Sequence, residues 1–278
     1  MVIDPNDLSE FDNTPDENLL GLSYRDVLAL SLFPFAPTSP LKIRTYIPDE
    51  VLDKLPFFRL CEELLMVIDR ENSLKLTPKG NLPLKFVSEL YENGNVPDEA
   101  IELGISKSFR ESDIISIYAA RQVCTLAGLI KKRSNALSLT NRGKKLRSDR
   151  SALLALILYA HVWDFDTWQF DAYPDRATGG AGNHIIWYML LKYGQEERPT
   201  LFYADNYLQF FPELIDAFGN VYATPIEQFL GCFETRVFFR FNDWWGFTET
   251  KNNRYPEANT TKATSFLSAV LEFVRNVS

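Results

Sequence analysis

Cysteine and histidine are scarce: the 278 residues hold three cysteines and two histidines. Three is an odd number and no two cysteines lie within ten residues of each other, which excludes a disulfide scaffold and predicts a reducing, cytoplasmic compartment. Long apolar runs are missing too. The longest, Ala152 to Trp163, falls well short of the about 20 residues that a membrane-spanning helix needs. The opening MVIDPNDLSEFD has no basic region followed by an apolar stretch, so no secretory signal is read there. Basic residues are outnumbered, 29 against 37, and the net charge is -8. Such a balance excludes a wholesale binder of polyanions but leaves room for one basic face. What is present is ordinary globular composition, 46% hydrophobic and 24% charged.

The first forty residues stand apart, with seven acidic residues and one basic residue, Arg25. Pro34, Pro37 and Pro40 then interrupt any helix. These features predict an acidic N-terminal arm and linker over 1–45, with Ser23 capping a short helix.

An internal repeat follows. Shifted by 63 residues, positions 61–80 and 124–143 share seven identities in twenty, among them Cys61/Cys124, Asn72/Asn135, Leu74/Leu137, Thr77/Thr140 and Gly80/Gly143. The second copy reads as a helix from Ile114 that fades near Gly128, a tight turn at Ser134-Asn135 between two short strands, and a helix capped at Thr140 or Asn141. The first copy predicts a helix from Pro56 to Ile68, a turn at Glu71-Asn72, a strand at Leu74–Leu76 and a helix near Leu82 to Tyr91. Helix, tight hairpin, helix is the core of a winged-helix unit. A weaker third echo lies in the apolar stripe Phe229, Phe233, Val237, Phe241 and Trp245, two strand-like stretches beyond Gly246, and a closing helix at Ser265–Val274. The fold class expected is therefore mainly α (α+β). It comprises tandem winged-helix units over 46–106 and 107–150 and a helical C-terminal half over 151–278 that holds the possible third unit.

The strings Leu-Thr-Pro-Lys-Gly at 76–80 and Leu-Thr-Asn-Arg-Gly at 139–143 resemble the closing strand and helix start of bacterial winged-helix regulators. The longer stretches Leu74 to Pro83 and Ala127 to Lys132 are similar to an uncharacterised bacterial family related to plasmid-encoded ORF-three-like proteins. The resemblance covers about 55–220; it implies the winged-helix fold and assigns no activity or catalytic residue.

Charge divides unevenly between the copies. Residues 107–150 hold eleven basic and three acidic residues, whereas 46–106 hold six basic and twelve acidic. A winged helix docked on double-stranded DNA would point Arg121, Gln122 and Thr125 at base edges. Lys131, Lys132 and Arg133 on the wing, and Lys144 and Arg147 on the next helix, would meet phosphates. The competing expectation is that the acidic copy or arm packs on this basic surface, or that it meets an acidic protein partner. The function expected is non-catalytic binding, with DNA first and a protein-interaction or scaffold role second; oligomeric state is left open.

Other candidates read more simply as structure. His161, Asp164, Asp166, Asp171, Asp175 and His184 match no tight metal motif, and carboxylates there suit helix caps. The glycines of 178–184 precede a helix but follow no buried strand, so a phosphate loop is not indicated. Cys61, Cys124 and Cys232 read as small core residues. No cofactor or metal is expected. Trp244 and Trp245 would be partner anchors only if exposed.

Overall fold

The computed structural model describes residues 3–93, 95–105, 110–180, 183–219, 223–253 and 257–274. In chain order the elements are α1 (Tyr24–Leu32), β1 (Leu41–Ile43), α2 (Asp49–Leu52), α3 (Pro56–Arg70), β2 (Leu74–Lys75), α4 (Leu84–Glu92), α5 (Glu99–Glu102) and α6 (Ile115–Leu126). The hairpin β3 (Ile130–Arg133) and β4 (Ala136–Leu139) leads to α7 (Asn141–Leu146) and α8 (Arg150–Tyr159). Then come α9 (Asn183–Tyr193), β5 (Arg198–Pro199), α10 (Thr200–Phe210) and α11 (Pro225–Phe233), a second hairpin β6 (Thr248–Lys251) and β7 (Thr260–Ala263), and finally α12 (Ser265–Val270) and β8 (Leu271–Phe273). The fold is mixed α+β, and its strands make three small antiparallel sheets. Among the described residues no helix is long and apolar enough to cross a membrane.

Contacts divide the chain into two units. The middle unit is Thr45–Asp166 with Trp244–Gly246, and the flanking unit is the remainder. The boundary expected at 106/107 does not coincide with this division, because β2 from the first copy pairs with β4 from the second, Leu74 opposite Leu137 and Lys75 opposite Ala136. The boundary at 150/151 falls instead at the start of α8, whose Arg150 is held by Asp49, Asp53 and Glu62 within the middle unit.

The hairpin expected in the first copy does not form. Leu65 occupies the place that Gly128 holds in the second copy. Leu65 is buried and continues α3 to Arg70, whereas Gly128 takes φ +67° and lets the chain leave α6 for β3. A side chain disfavours that backbone conformation, so this one difference converts a helix end into a hairpin start. Elsewhere the copies agree in local shape. Asn72 and Asn135 are both left-handed, φ 56° and 57°, and each leads into a strand. Cys61 and Cys124 are both fully buried and their thiols meet between α3 and α6; burial pushes Cys61 well above the ordinary thiol range.

The β3–β4 hairpin turns at Ser134 and Asn135, both left-handed as a two-residue mirror-image turn requires. Thr140 caps α7 by accepting the Gly143 N–H. Gly143 lies so close to the Leu129 carbonyl that a Cβ there would collide with it. The core of the middle unit gathers Phe57, Phe58 and Leu64 with Ala120, Val123, Leu137, Leu154 and Trp245, all buried.

In the flanking unit the stripe Phe229, Phe233, Val237, Phe241 is buried as its spacing predicts, but α11 widens into a π-helix over Glu234–Asn242. Two strands follow it, and β5 joins them in the order β5-β7-β6, matching β2-β4-β3. The closing helix stops at Val270, and Leu271–Phe273 instead pair with Leu41–Ile43 as a two-stranded sheet. The arm folds onto its own unit. Ser23 and Asp26 form a reciprocal cap at α1, and Arg25 donates to the Ser9 and Phe11 carbonyls.

Candidate functional site

The sheet β2-β4-β3 gathers cations from both copies. Register places Lys75, Ala136 and Arg133 in one row across the three strands, and Lys131 opposite Ser138 two residues along. Residues at alternate positions of a strand share a face, so Lys75, Arg133 and Lys131 project from the same side. All three are exposed, as is Lys132. Lys132 leans over the turn after β2, with its ammonium 3.1 Å from where a Cβ on Gly80 would sit. That turn also carries exposed Lys79. Asn135 holds the hairpin tip against β2. Its backbone carbonyl accepts the Leu76 N–H at 2.9 Å, and its amide donates to the Thr77 carbonyl at 2.9 Å. Among the described residues none of these five cations has an ion-pair partner.

Lys75 and Lys79 did not figure among the residues expected from sequence, because they lie in the acidic copy. The sequence signal for Lys79 is the matched Leu-Thr-x-basic-Gly string; Lys75 lies just before that string and aligns with Ser138, so its place depends on the strand pairing between the copies. Lys144 is exposed on α7.

Three expected residues are placed differently. Arg121 is buried, 8% exposed, and its guanidinium is paired with the fully buried carboxylate of Glu111. The other oxygen of Glu111 accepts the Leu82 N–H at 2.7 Å. Opening this pair would leave a charge without compensation in the interior, at about 3–5 kcal/mol, so Arg121 is not available to a base edge. The helical period turned it inward because α6 is covered on most sides. Thr125 is exposed, but its hydroxyl donates back to the Arg121 carbonyl at 2.8 Å. Arg147 is half-buried and paired with Asp69 on α3. Gln122 is half-buried and, with Ile115, Tyr118 and exposed Leu126, makes an uncharged outer stripe on α6.

The expectation that the acidic copy compensates basic residues holds for part of the surface. Besides Arg147–Asp69, Arg150 binds Glu62 through two nitrogens, both at 2.8 Å, and reaches Asp49 at 2.7 Å and Asp53 at 2.8 Å. These carboxylates raise the Arg150 pKa further above its usual value. Lys107, also counted in the basic stretch, lies outside the described residues.

His161, His184, Asp171 and Asp175 have structural partners, and Asp164 and Asp166 are exposed. In the middle unit His161 is buried and accepts the Trp245 indole N–H at 3.1 Å, and burial lowers its pKa to about 3. In the flanking unit His184 is likewise lowered to about 3 by burial and packs against Phe35 and Trp187. Asp171 holds fully buried Arg236 through two bonds of 2.6 and 2.8 Å, and Asp175 caps the Ala177 and Thr178 amides. Arg236 also donates to the Asp175 and Thr178 carbonyls, clamping the start of the glycine-rich stretch; Gly179 is needed there because a Cβ would sit 2.6 Å from Arg236 Cβ. Positions 181 and 182 of that stretch lie outside the described residues. Among the described residues no group of three or more His, Cys, Asp or Glu is arranged to hold a metal ion. Trp245 is fully buried, and half-buried Trp244 stacks on Phe57, so neither stands out as an anchor.

Residues 53–152 match the family model of the Y4jL N-terminal domain. The match covers just over a third of the chain, crosses the expected 106/107 boundary and falls inside the middle unit. It supports an uncharacterised family of Y4jL-like proteins for this part of the chain. No curated protein and no solved structure matches.

Proposed function

We propose that the middle unit is a single winged-helix module that binds double-stranded DNA without catalysis, through the basic face and tip of its sheet. The order α3, β2, α4, α6, β3, β4 with sheet order β2-β4-β3 supports the module. The order α9, β5, α10, α11, β6, β7 with sheet order β5-β7-β6 supports a second such module in the flanking unit, so that the tandem lies across the two units and not across the sequence repeat. The observation that carries the DNA reading is the set of five exposed cations, Lys75, Lys79, Lys131, Lys132 and Arg133, brought to one sheet without partners among the described residues. An acidic protein partner is the second reading. What favours it is that Arg147 and Arg150, from the same basic stretch of sequence, already bind carboxylates of the chain itself. A reducing cytoplasm suits the three free, buried cysteines.

Fluorescence anisotropy with a mixed-sequence duplex, over a salt titration, tests the proposal. Removing Lys131, Lys132 and Arg133 together as alanines should flatten the log–log salt slope by about 2–3. No binding to duplex at low salt would discard the DNA reading and leave the acidic protein partner.

A further inference from the structure

Resting on the DNA reading above, we infer that the middle unit recognises the duplex backbone and not base sequence. In a winged helix the third helix, here α6, is the one that enters the major groove. Its only cationic side chain is Arg121, and the Glu111 carboxylate holds that guanidinium inside the unit. Glu111 is in turn tied to the segment just before α4 through the Leu82 N–H. Arginine binding guanine in two-point fashion is the commonest specific contact to a base, and α6 has no other cation with which to make it.

The outer stripe of α6 is Ile115, Tyr118, Gln122, Thr125 and Leu126. Thr125 spends its hydroxyl proton on the Arg121 carbonyl. The Gln122 amide is then the one group on the stripe able to make a two-point contact, to adenine, and one such contact discriminates by roughly 5- to 150-fold. Sequence-specific proteins prefer their sites over other DNA by about 10³ or more. A single amide does not reach that threshold. The five cations, by contrast, sit on strands and a turn, where they meet phosphates that are alike at every base pair.

Selection of full-length protein against a randomised duplex pool, followed by affinity measurement on the most enriched and on unrelated sequences, tests this. The expected result is a spread below about 150-fold, with the salt slope alike for all sequences, and loss of any residual preference in Gln122→Ala. A preferred site bound about 10³-fold better than unrelated duplex would overturn the inference while leaving DNA binding itself intact. Failure to bind any duplex at low salt would overturn both. As a second measure, the double variant Glu111→Gln, Arg121→Gln keeps an acceptor for the Leu82 N–H. It should bind duplex within about twofold of wild type; a loss of tenfold or more with the fold preserved would place Arg121 at the DNA and overturn the inference.

Discussion

At the scale of single residues, burial decides what a charged side chain can do. Arg121 and Lys131 are both basic residues of the second copy, yet one is an interior ion pair and the other a solvated cation. Arg121→Ala should therefore lower stability by about 3–5 kcal/mol, because it strands the Glu111 carboxylate, while Lys131→Ala should change it by less than about 0.5 kcal/mol; urea denaturation of the two variants checks this. The histidines give a pH dependence with a definite sign. Folding depresses His161 from 6.5 to about 3, so between those values the unfolded chain binds the extra proton and stability falls as pH drops. Each such group contributes about 1.4 kcal/mol per pH unit in that window. Asp243 acts oppositely. Burial raises it to about 6 against hydrogen bonds from Thr248 and Thr250, so its contribution falls as pH rises from about 4 to 6. Asp243→Asn should accordingly make stability climb more steeply between pH 4 and 6 than in the wild type, and His161→Gln, which still offers an acceptor to Trp245, should make it climb less. Urea midpoints at a series of pH values read both.

At the scale of elements, the turn and the glycines matter most. Ser134 holds φ 49°, a conformation costly for a residue with a Cβ. Ser134→Gly should stabilise the hairpin by about 1 kcal/mol without touching Arg133 or the Asn135 amide. Gly143→Ala should do the reverse by at least about 1–3 kcal/mol, since the added methyl meets the Leu129 carbonyl. Thermal unfolding of the two variants should move in opposite directions. Gly128 is also the clearest case of local sequence deciding topology. Its absence from the first copy keeps α3 helical to Arg70 and leaves β2 with no partner of its own. That strand is then free to complete the sheet of the other copy.

At the scale of the whole molecule, net charge and local charge point in opposite directions. The chain carries -8, yet one sheet and the turn after β2 present five cations. Local geometry governs contact with a phosphate backbone, and overall charge governs long-range steering. If all five cations meet phosphates, the salt slope is about -4.5, and duplex affinity should fall about 500-fold between 50 and 200 mM salt. An anisotropy titration at those two concentrations measures it; a loss of only about 4- to 12-fold would mean that one or two of the five make contact. The two units share an order of elements and a sheet order, but the flanking sheet leaves fewer cations free: among the described residues Lys262 has no ion pair, while Arg198 is paired with Glu196. In that sheet Lys251 is held by Glu197, which also accepts the Thr260 hydroxyl.

Sequence alone determined whatever depends on near neighbours along the chain. The cap at Ser23, the turn at Ser134-Asn135, the end of α6 near Gly128, a cap at Thr140 or Asn141 and the buried stripe from Phe229 were all legible, because propensity and periodicity act over a few residues. Tertiary structure decided which strands pair and which cations stay free. Leu74 opposite Leu137, the short strand Leu271–Phe273 on Leu41–Ile43, and the inward turn of Arg121 depend on partners far away in sequence. A strand two or three residues long carries too little pattern to name its neighbour, and a helical arginine shows its face only once the surrounding helices have closed over it. The repeat was visible as two copies, but hydrogen bonds between them made the two halves one unit.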